Sequence, residues 1–183
     1  MKQDALTVIL EEYDQQCALH TEFTKKTKEL VEDLLRENNA RVHSITCRVK
    51  DRDDLKTKVE RSEERYRKLS DITDIAGIRI ITYFADDVDV IADIIQKEFN
   101  INYMNSVDKR TVLDPDRFGY LSLHYVAKLP ATRLKLTEYH RFSDCKVEIQ
   151  IRSILQHTWA TRVNRLYRRR SSGAFHDSLG SWN

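Results

Sequence analysis

The sequence predicts a single α/β (α+β) domain with additional helices. The chain has 183 residues, which is enough for one domain with a hydrophobic core. Charged residues make up 33% and apolar residues 40%, with four glycines and two prolines, which is typical of a soluble, helix-rich protein. Segments with helical periodicity also alternate along the chain with short segments of strand-like alternation.

The N-terminal part of the chain predicts a helical segment followed by a strand. Residues 3–38 place their apolar side chains at helical spacing, as one or two amphipathic helices do. From Val42 to Lys50 the apolar residues occupy every second position instead, which predicts an amphipathic strand. Its polar, exposed face ends in two cations, Arg48 and Lys50.

The strongly charged segment Asp51–Lys68 returns to helical spacing. Asp53 or Asp54 is the expected N-cap, because an aspartate accepts hydrogen bonds from the first free amides of a helix. Lys58 follows Asp54 by about one turn, and the simplest interpretation is an ordinary ion pair on a solvated face.

The segment around which the chain is organised comes next. Ile78–Phe84 is β-branched and aromatic and is apolar on both faces apart from Arg79 and Thr82, which predicts a central buried strand. Asp74 and Gly77 stand just before it. A carboxylate next to backbone without a side chain suits a site where metal ions and phosphate oxygens approach the main chain. A helix cap and a turn glycine are an equally good interpretation of these two residues alone.

The middle of the chain predicts a helix, a strand and a loop. Asp86-Asp87 is expected to cap a helix, and Phe99–Val107 to form another strand. The charged loop 108–118 contains Lys109 and has the length of a substrate lid.

Gly119 then opens a strand that places Tyr120, Ser122 and His124 on one face. An aromatic ring, a hydroxyl and an imidazole in one row could hold a nucleobase with its ribose or phosphate. An ordinary exposed strand face explains the three residues equally well.

The last predicted strand, Lys146–Arg152, alternates strictly between apolar and polar residues. Its polar face presents an acid, an amide and a base in a row, namely Glu148, Gln150 and Arg152. After the polar connection 130–143 and this strand, Ser153 is expected to cap a helix in which His157 is a hydrogen-bonded neighbour rather than a metal ligand.

Cysteine usage and hydropathy limit the compartment and the class of protein. The three cysteines lie far apart and have no metal-ligand spacing, so we expect a reduced cytoplasmic protein without structural zinc. We find no apolar run of about 18 residues and no signal-peptide pattern, so a membrane partner is not expected. Five arginines crowd into Arg162–Arg170.

Four separated motifs in this chain resemble the RelA/SpoT-type alarmone synthetases, which move pyrophosphate from ATP to the 3′-hydroxyl of GDP or GTP. The resemblance covers roughly residues 40–160, and its motifs stand in the family's order. The motifs are Arg48-Val49-Lys50 with Lys58, Asp74-Ile75-Ala76-Gly77-Ile78-Arg79, Gly119-Tyr120 with Ser122 and His124, and Glu148-Ile149-Gln150-Ile151-Arg152 followed by His157-Thr158-Trp159-Ala160.

The resemblance implies a nucleotidyltransferase-like mixed β-sheet flanked by helices. It also implies that Asp74 and Glu148 meet across neighbouring strands as the catalytic pair and as ligands of Mg²⁺, with Glu148 as second ligand, general base or both. The implied ATP and phosphate ligands are Arg48, Lys50, Lys58 and Arg79, and the implied acceptor-nucleotide ligands are Lys109, Tyr120, His124, Gln150 and Arg152.

The resemblance divides the chain into an N-terminal helical segment (1–40), a synthetase domain (41–160) and a basic atypical tail (161–183). The tail departs from the family where Thr161 and Asn164 stand in place of a glutamate and a histidine. Two further departures lie in the synthetase domain, where Asp54 and Asp116 stand in place of a serine and a lysine.

Several alternatives therefore stay open beside a synthetase that uses ATP and GDP or GTP. They are a nucleotide-binding or protein-binding module of the same fold without turnover, pyrophosphate transfer to another 3′-hydroxyl, and a basic-tailed nucleic-acid binder, which we rank last. A homo-oligomer is compatible with all of these.

Overall fold

The computed structural model describes residues 2–62, 65–108 and 122–158. A six-stranded mixed sheet forms the centre of the domain, and helices pack against it. The strands are β1 (Ser44–Val49), β2 (Ala76–Thr82), β3 (Asn100–Ile101), β4 (Val107–Asp108), β5 (Leu123–Lys128) and β6 (Val147–Ser153). The helices are α1 (Lys2–Glu37), α2 (Arg52–Arg61), α3 (Asp86–Glu98) and α4 (Ala131–Leu134), and residues 154–158 are also helical. The predicted α/β fold is confirmed.

The strand order brings distant parts of the sequence together. The order is β1-β2-β6-β5-β3, with β4 also paired to β5. β2 and β6 are parallel, whereas the other pairs are antiparallel. In the register of β2 and β6, Gly77 lies opposite Glu148 and Arg79 lies opposite Gln150. The two predicted site strands are therefore direct neighbours at the centre of the sheet.

The main core lies between one face of the sheet and the helices α1 and α3. Inward-facing residues of β2 and β6 are almost completely buried, as Ile78 (1% exposed) and Ile149 (0%) show. They form one cluster with Phe23 of α1 and Ile91 of α3. Because strand side chains alternate, the polar residues of β2 and β6 lie on the opposite face, where they are available to a ligand.

A second buried cluster fixes α2 and the segment before β2 against α1. Ile9 and Tyr13 of α1 pack there with Leu55 of α2 and with Ile72 and Ile75. The Tyr13 hydroxyl donates to the Lys50 carbonyl at 2.6 Å, so the end of β1 is tied to the same cluster. This packing determines where α2 and residues 72–75 present their polar side chains.

The start of α2 differs from the prediction. Asp51 is the N-cap, and its carboxylate accepts from the Asp53 amide at 2.8 Å, so the expectation of Asp53 or Asp54 was wrong. Asp51 is extended and lies between β1 and the first helical residue, Arg52, so its side chain can bond the free amides of the helix. The helix ends at Arg61 rather than Lys68, and Leu69–Asp71 forms a separate 3₁₀ turn.

Two further predictions needed correction. The predicted strand Phe99–Val107 is divided into β3 and β4 by a 3₁₀ turn, because the Asn102 side chain accepts from the Asn105 amide at 3.3 Å and stabilises the turn. The N-cap of α3 is Ala85, and Asp86 and Asp87 lie in the first turn. Within the described ranges, no helix is both long and apolar enough to cross a membrane.

Candidate active site

A pocket of about 60 Å³ lies on the polar face of the sheet where β1, β2 and β6 run side by side. Asp74 and Glu148 both line it, so the structure brings these two carboxylates, which lie far apart in the sequence, to one pocket. The other lining residues come from the same strands and are Thr46, Cys47, Arg48, Gly77, Ile78, Arg79 and Gln150.

Asp74 is held by two lysines. Its Oδ1 accepts from Lys58 Nζ at 2.7 Å, and Lys50 Nζ lies 3.1 Å from its Oδ2. Lys58 is thus not simply a partner of Asp54, as the helix alone indicated, because the packing of α2 turns it towards the pocket. Lys50 is also not on an exposed face as predicted, since it is only 8% exposed. Asp74 is not a helix cap, and Gly77 lies inside β2 without a positive φ, so the simple cap-and-turn interpretation was wrong.

Glu148 accepts hydrogen bonds at both oxygens. His124 Nδ1 lies 2.9 Å from Oε1, and Gln150 Nε2 donates to Oε2 at 2.9 Å. Burial alone would raise the pKa of Glu148, but these hydrogen bonds, with the nearby charges of His124 and Lys58, lower that pKa to about 2. Glu148 is therefore an anion throughout the physiological pH range.

Ser122 extends this arrangement behind His124. Its Oγ lies 2.8 Å from His124 Nε2, so one imidazole connects a hydroxyl to a carboxylate. The order of contacts is that of a serine hydrolase triad, but Ser122 is only 2% exposed and its hydroxyl is not open to a substrate. Because Glu148 is ionised, His124 donates to it from Nδ1, and Nε2 of the same ring is hydrogen-bonded to the Ser122 hydroxyl. Ser122 therefore orients His124.

Arg79 and Arg48 supply positive charge along the pocket. Arg79 Nε and Nη2 both lie 3.4 Å from Gln150 Oε1, so the Gln150 amide connects Arg79 to Glu148 through long hydrogen bonds. Arg48 pairs with Gly77 in the register of β1 and β2 and is exposed. Both guanidinium groups are thus available to an anionic ligand.

A groove of about 380 Å³ lies along α2, next to Lys50 and Lys58. Its lining includes the cationic residues Lys50, Lys58 and Arg61 and the acidic residue Asp54. Because Lys50 and Lys58 also contact Asp74, the groove continues the positively charged surface beyond the pocket.

The remaining predicted site residues divide into two groups. Arg152 is 5% exposed and does not line the pocket. The pKa of His157 is lowered first by the burial of His157 itself and then by the positive charges of Arg152 and Arg79. Arg152 lies in β6 and His157 in the helical residues 154–158 that follow it, whereas Arg79 lies in the neighbouring strand β2. Lys109 and Tyr120 lie outside the described residues, as does nearly all of the predicted lid.

Sequence reasoning named Ser122 in the row with His124 but did not include it among the site residues. The period-two spacing of these residues was the available signal. Thr46 lies within the predicted strand Val42–Lys50 and lines the pocket because β1 pairs with β2.

The donor set of the pocket fits a hard divalent cation such as Mg²⁺. Asp74 and Glu148 offer carboxylate oxygens only, and no group of three or more His, Cys, Asp or Glu residues gathers for a metal in the described part of the chain. Mg²⁺ is commonly held by one or two carboxylates, with substrate phosphates and waters completing its shell, so two carboxylates are sufficient.

The fold and this pocket define an α/β domain with carboxylates and cations gathered on the open face of a mixed sheet. A family model described as "Region found in RelA / SpoT proteins" matches residues 47–171. This chain belongs to the RelA/SpoT family.

Individual relatives support the same assignment. The chain is 31% identical over 96 residues to the GTP pyrophosphokinase YwaC of Bacillus subtilis, covering 52% of this chain and 42% of that protein. It is 29% identical over 128 residues to the GTP pyrophosphokinase YjbM of the same organism, covering 68% and 56%. The chain thus spans about half the length of the curated relatives it matches.

The fold is similar to that of small alarmone synthetase 1 from Bacillus subtilis bound to its product pppGpp. The TM-score is 0.68 at 22% identity, with 86% of this chain and 82% of that chain covered. At this level of identity the similarity establishes the fold.

Proposed function

We propose that this protein transfers pyrophosphate from ATP to the 3′-hydroxyl of GDP or GTP in an Mg²⁺-dependent reaction. The observation that carries the proposal is the meeting of Asp74 and Glu148 in one pocket beside Arg48 and Arg79. The two matched Bacillus subtilis proteins are GTP pyrophosphokinases, and the matched synthetase structure contains pppGpp, which supports the same chemistry here.

The reaction breaks a phosphoanhydride bond of ATP and forms a phosphate ester bond on the acceptor. The 3′-oxygen of the acceptor attacks the β-phosphorus of ATP, and the bond from that phosphorus to the α–β bridging oxygen breaks. AMP leaves with the bridging oxygen, and the acceptor carries the pyrophosphate group. When bound, Mg²⁺ would balance the negative charge of the phosphates, with Asp74 and Glu148 as its protein ligands.

The cations of the pocket and groove would hold the triphosphate. Arg48 and Arg79 offer planar, bidentate contacts to phosphate oxygens, whereas Lys58 and Lys50 offer point charges. Both lysines form ion pairs with Asp74. A phosphate bound beside this carboxylate would therefore lie within reach of both ammonium groups. Positioning and charge neutralisation of this kind account for most of the catalysis in such transfers.

The low pKa of Glu148 bears on its two expected roles. A general base is most effective when its pKa lies near the working pH, and a value of about 2 is far below it. Glu148 is thus better suited to be a metal ligand than a strong base. It remains the proposed first acceptor of the 3′-hydroxyl proton, which then passes to solvent.

The acceptor nucleotide would lie on the β5 and β6 side of the pocket. We propose that Tyr120 stacks on its base and that His124, Gln150, Arg152 and Lys109 contact its ribose and phosphates. In this arrangement the His124 ring, fixed by Ser122 and Glu148, lies beside the reacting hydroxyl.

Position-specific labelling of ATP tests the proposal. With Mg²⁺, GDP or GTP and ATP labelled at the β-phosphorus, we expect the label to appear in the guanine nucleotide and AMP to form in equal amount. A simple γ-phosphoryl transfer would leave the label in ADP, so the two reactions separate on one chromatogram. Glu148→Gln, which keeps the size of the side chain, should lower the rate by orders of magnitude.

Other outcomes would favour the alternatives. If the protein binds ATP but transfers no label to any guanine nucleotide, it is a binding module of this fold. Transfer to a different 3′-hydroxyl compound would change the acceptor only. Salt-dependent RNA binding that is lost when residues 161–183 are removed would support the nucleic-acid alternative.

A further inference from the structure

A second and larger pocket lies on the other side of the segment that carries Asp74. Its volume is about 650 Å³, and it is enclosed by α1, the 3₁₀ turn Leu69–Asp71 and the segment 141–146. Ile72 and Ile75 line this pocket, whereas Asp74 between them lines the candidate active site. The two pockets are therefore separate sites divided by a single stretch of chain, and the larger one is called the α1 pocket below.

The charge of the α1 pocket is predominantly positive. Four cationic side chains line it, against the two carboxylates of Glu12 and Asp144. The cationic residues are Lys68, Lys128, Arg141 and Lys146.

Some of these charges are already engaged. The Glu12 carboxylate accepts from the Leu69 amide at 2.7 Å, and Arg141 Nη1 lies 2.8 Å from Glu22 Oε2. Lys146 Nζ donates to the Ser70 carbonyl at 2.8 Å, which holds its charge at the pocket without neutralising it. The charges of Lys68 and Lys146 also act on the nearby Asp71 carboxylate, whose pKa is lowered first by the Arg67 amide and further by these charges. An ammonium group has three donors, so the lysines of the pocket can still donate to an anion.

A buried polar group points to a ligand in the same place. His20 lines the pocket and is only 8% exposed. Its Nδ1 has no hydrogen-bond partner within the described part of the chain. Buried polar atoms are nearly always paired, so an unpaired ring nitrogen beside a cavity of this size indicates a missing partner.

The wall beside His20 is apolar. Leu19, Leu69, Ile72 and Ile75 contribute to it, so the pocket combines an apolar surface with a cationic rim. The surface of the pocket is thus about equally polar and apolar, and its volume lies within the range of roughly 300–1,000 Å³ that is common for small-molecule sites.

We propose that the α1 pocket binds a small organic anion, with a phosphate or carboxylate group at the lysines and an apolar body against Ile72 and Ile75. The site is independent of the proposed pyrophosphate transfer, because it shares no lining residue with the candidate active site.

Titration of the full-length protein with phenyl phosphate, followed by the NMR signals of the histidine rings, tests this proposal. The His20 signal is identified by its loss in His20→Gln. We expect it to move saturably, with tighter binding of phenyl phosphate than of inorganic phosphate or phenol. A parallel titration with benzoate shows whether a carboxylate replaces the phosphate.

Matched lysine variants locate the ligand. Lys68→Met and Lys128→Met each keep the apolar stem and should weaken phenyl phosphate binding about tenfold, as expected for one charged hydrogen bond. Lys97→Met, which removes an exposed charge on α3 outside the pocket, should leave the affinity unchanged.

Several results would overturn the proposal. One is a His20 signal that does not move, and another is phenol binding as tightly as phenyl phosphate. A third is binding that is lost in Arg79→Met but kept in both lysine variants, since the ligand would then occupy the candidate active site. The two lysine variants are independent, so misfolding of one leaves the other as the test.

Discussion

Asp74 has two physical roles at the scale of single residues. It lines the candidate active site, and it also neutralises Lys50, whose side chain is 10% exposed, and Lys58. A buried ammonium without a partner is costly, so the carboxylate contributes to stability as well as to the proposed chemistry.

We therefore expect Asp74→Ala to lower the free energy of unfolding by about 2 kcal/mol, less than the ~3–5 kcal/mol typical of a fully buried pair. The reduction from that range follows because the Asp74 side chain is 21% exposed. Urea denaturation measures the change. Adding Lys50→Met to Asp74→Ala should restore most of the loss, since no buried charge then remains unpaired. Equal stability of wild type and Asp74→Ala would show that the pairs contribute nothing.

Substitution of Gly77 should affect the stability of the protein and its binding of ATP differently. A Cβ at this position would lie 3.8 Å from Arg48 Cγ, an ordinary contact, so Gly77→Ala should keep the stability or raise it by up to about 1 kcal/mol. The added methyl group would nevertheless enter the pocket of about 60 Å³ that Gly77 lines, and we expect the KM for ATP to rise. Thermal unfolding and steady-state kinetics measure the two effects. An unchanged KM would contradict a close approach of the nucleotide to this backbone.

At this scale, the family resemblance implied that Asp74 and Glu148 lie together, and both line the candidate pocket. The resemblance was not enough to predict that Lys50 is buried or that Lys58 contacts Asp74. Those contacts depend on how Leu55 and Tyr13 pack in the second cluster, which is a tertiary effect that periodicity does not report.

Among the elements, α2 has the most direct effect on the site, because it carries Lys58. Its N-cap hydrogen bond from the Asp53 amide to Asp51 is 2.8 Å long. Asp51→Ala should lower the stability by about 1 kcal/mol, the usual cost of losing an N-cap. Urea denaturation measures this, and Asp51→Asn, which keeps an acceptor oxygen, should recover most of it. If the two variants lose the same amount, the cap is not the cause.

The helix α1 buries His20, and this gives a pH dependence. Burial lowers the pKa of His20 below its ordinary value of 6.5. As the pH falls through 6.5, the unfolded chain binds a proton at His20 before the folded protein does, so the unfolded state gains protons and the folded state loses relative stability.

Thermal unfolding of the wild type between about pH 7.5 and about pH 5.5 should therefore show a falling Tm, and His20→Gln should show a smaller fall. The burial of His157 acts in the same direction and remains in both proteins. Parallel pH profiles for wild type and His20→Gln would exclude His20 as a source.

The elements that the sequence predicted best are those with regular alternation. β6 and β1 agree with the alternating segments to within two residues at each end, because one face of each strand is buried and the pattern records it. The segment after α3 was predicted wrongly, because a single side-chain hydrogen bond from Asn102 interrupts an otherwise strand-like run.

At the scale of the whole molecule, the site depends on the order of the strands. Asp74 and Glu148 line one pocket because β6 lies between β2 and β5. If β6 lay at an edge of the sheet instead, Glu148 would not be next to β2. Hydrophobic patterning predicts which segments are strands, but it does not predict their order, since every buried strand has similar faces. The family resemblance alone implied that the strands near Asp74 and Glu148 are neighbours, and β2 and β6 do pair in the structure.

The most direct test of the account is a crystal structure of the protein with Mn²⁺ and a non-hydrolysable ATP analogue, read by the anomalous signal of the metal. We predict a metal peak in contact with both Asp74 and Glu148 and phosphate density along Arg48, Arg79 and Lys58. A metal bound elsewhere, or a nucleotide whose phosphates lie outside this pocket, would contradict the proposed active site.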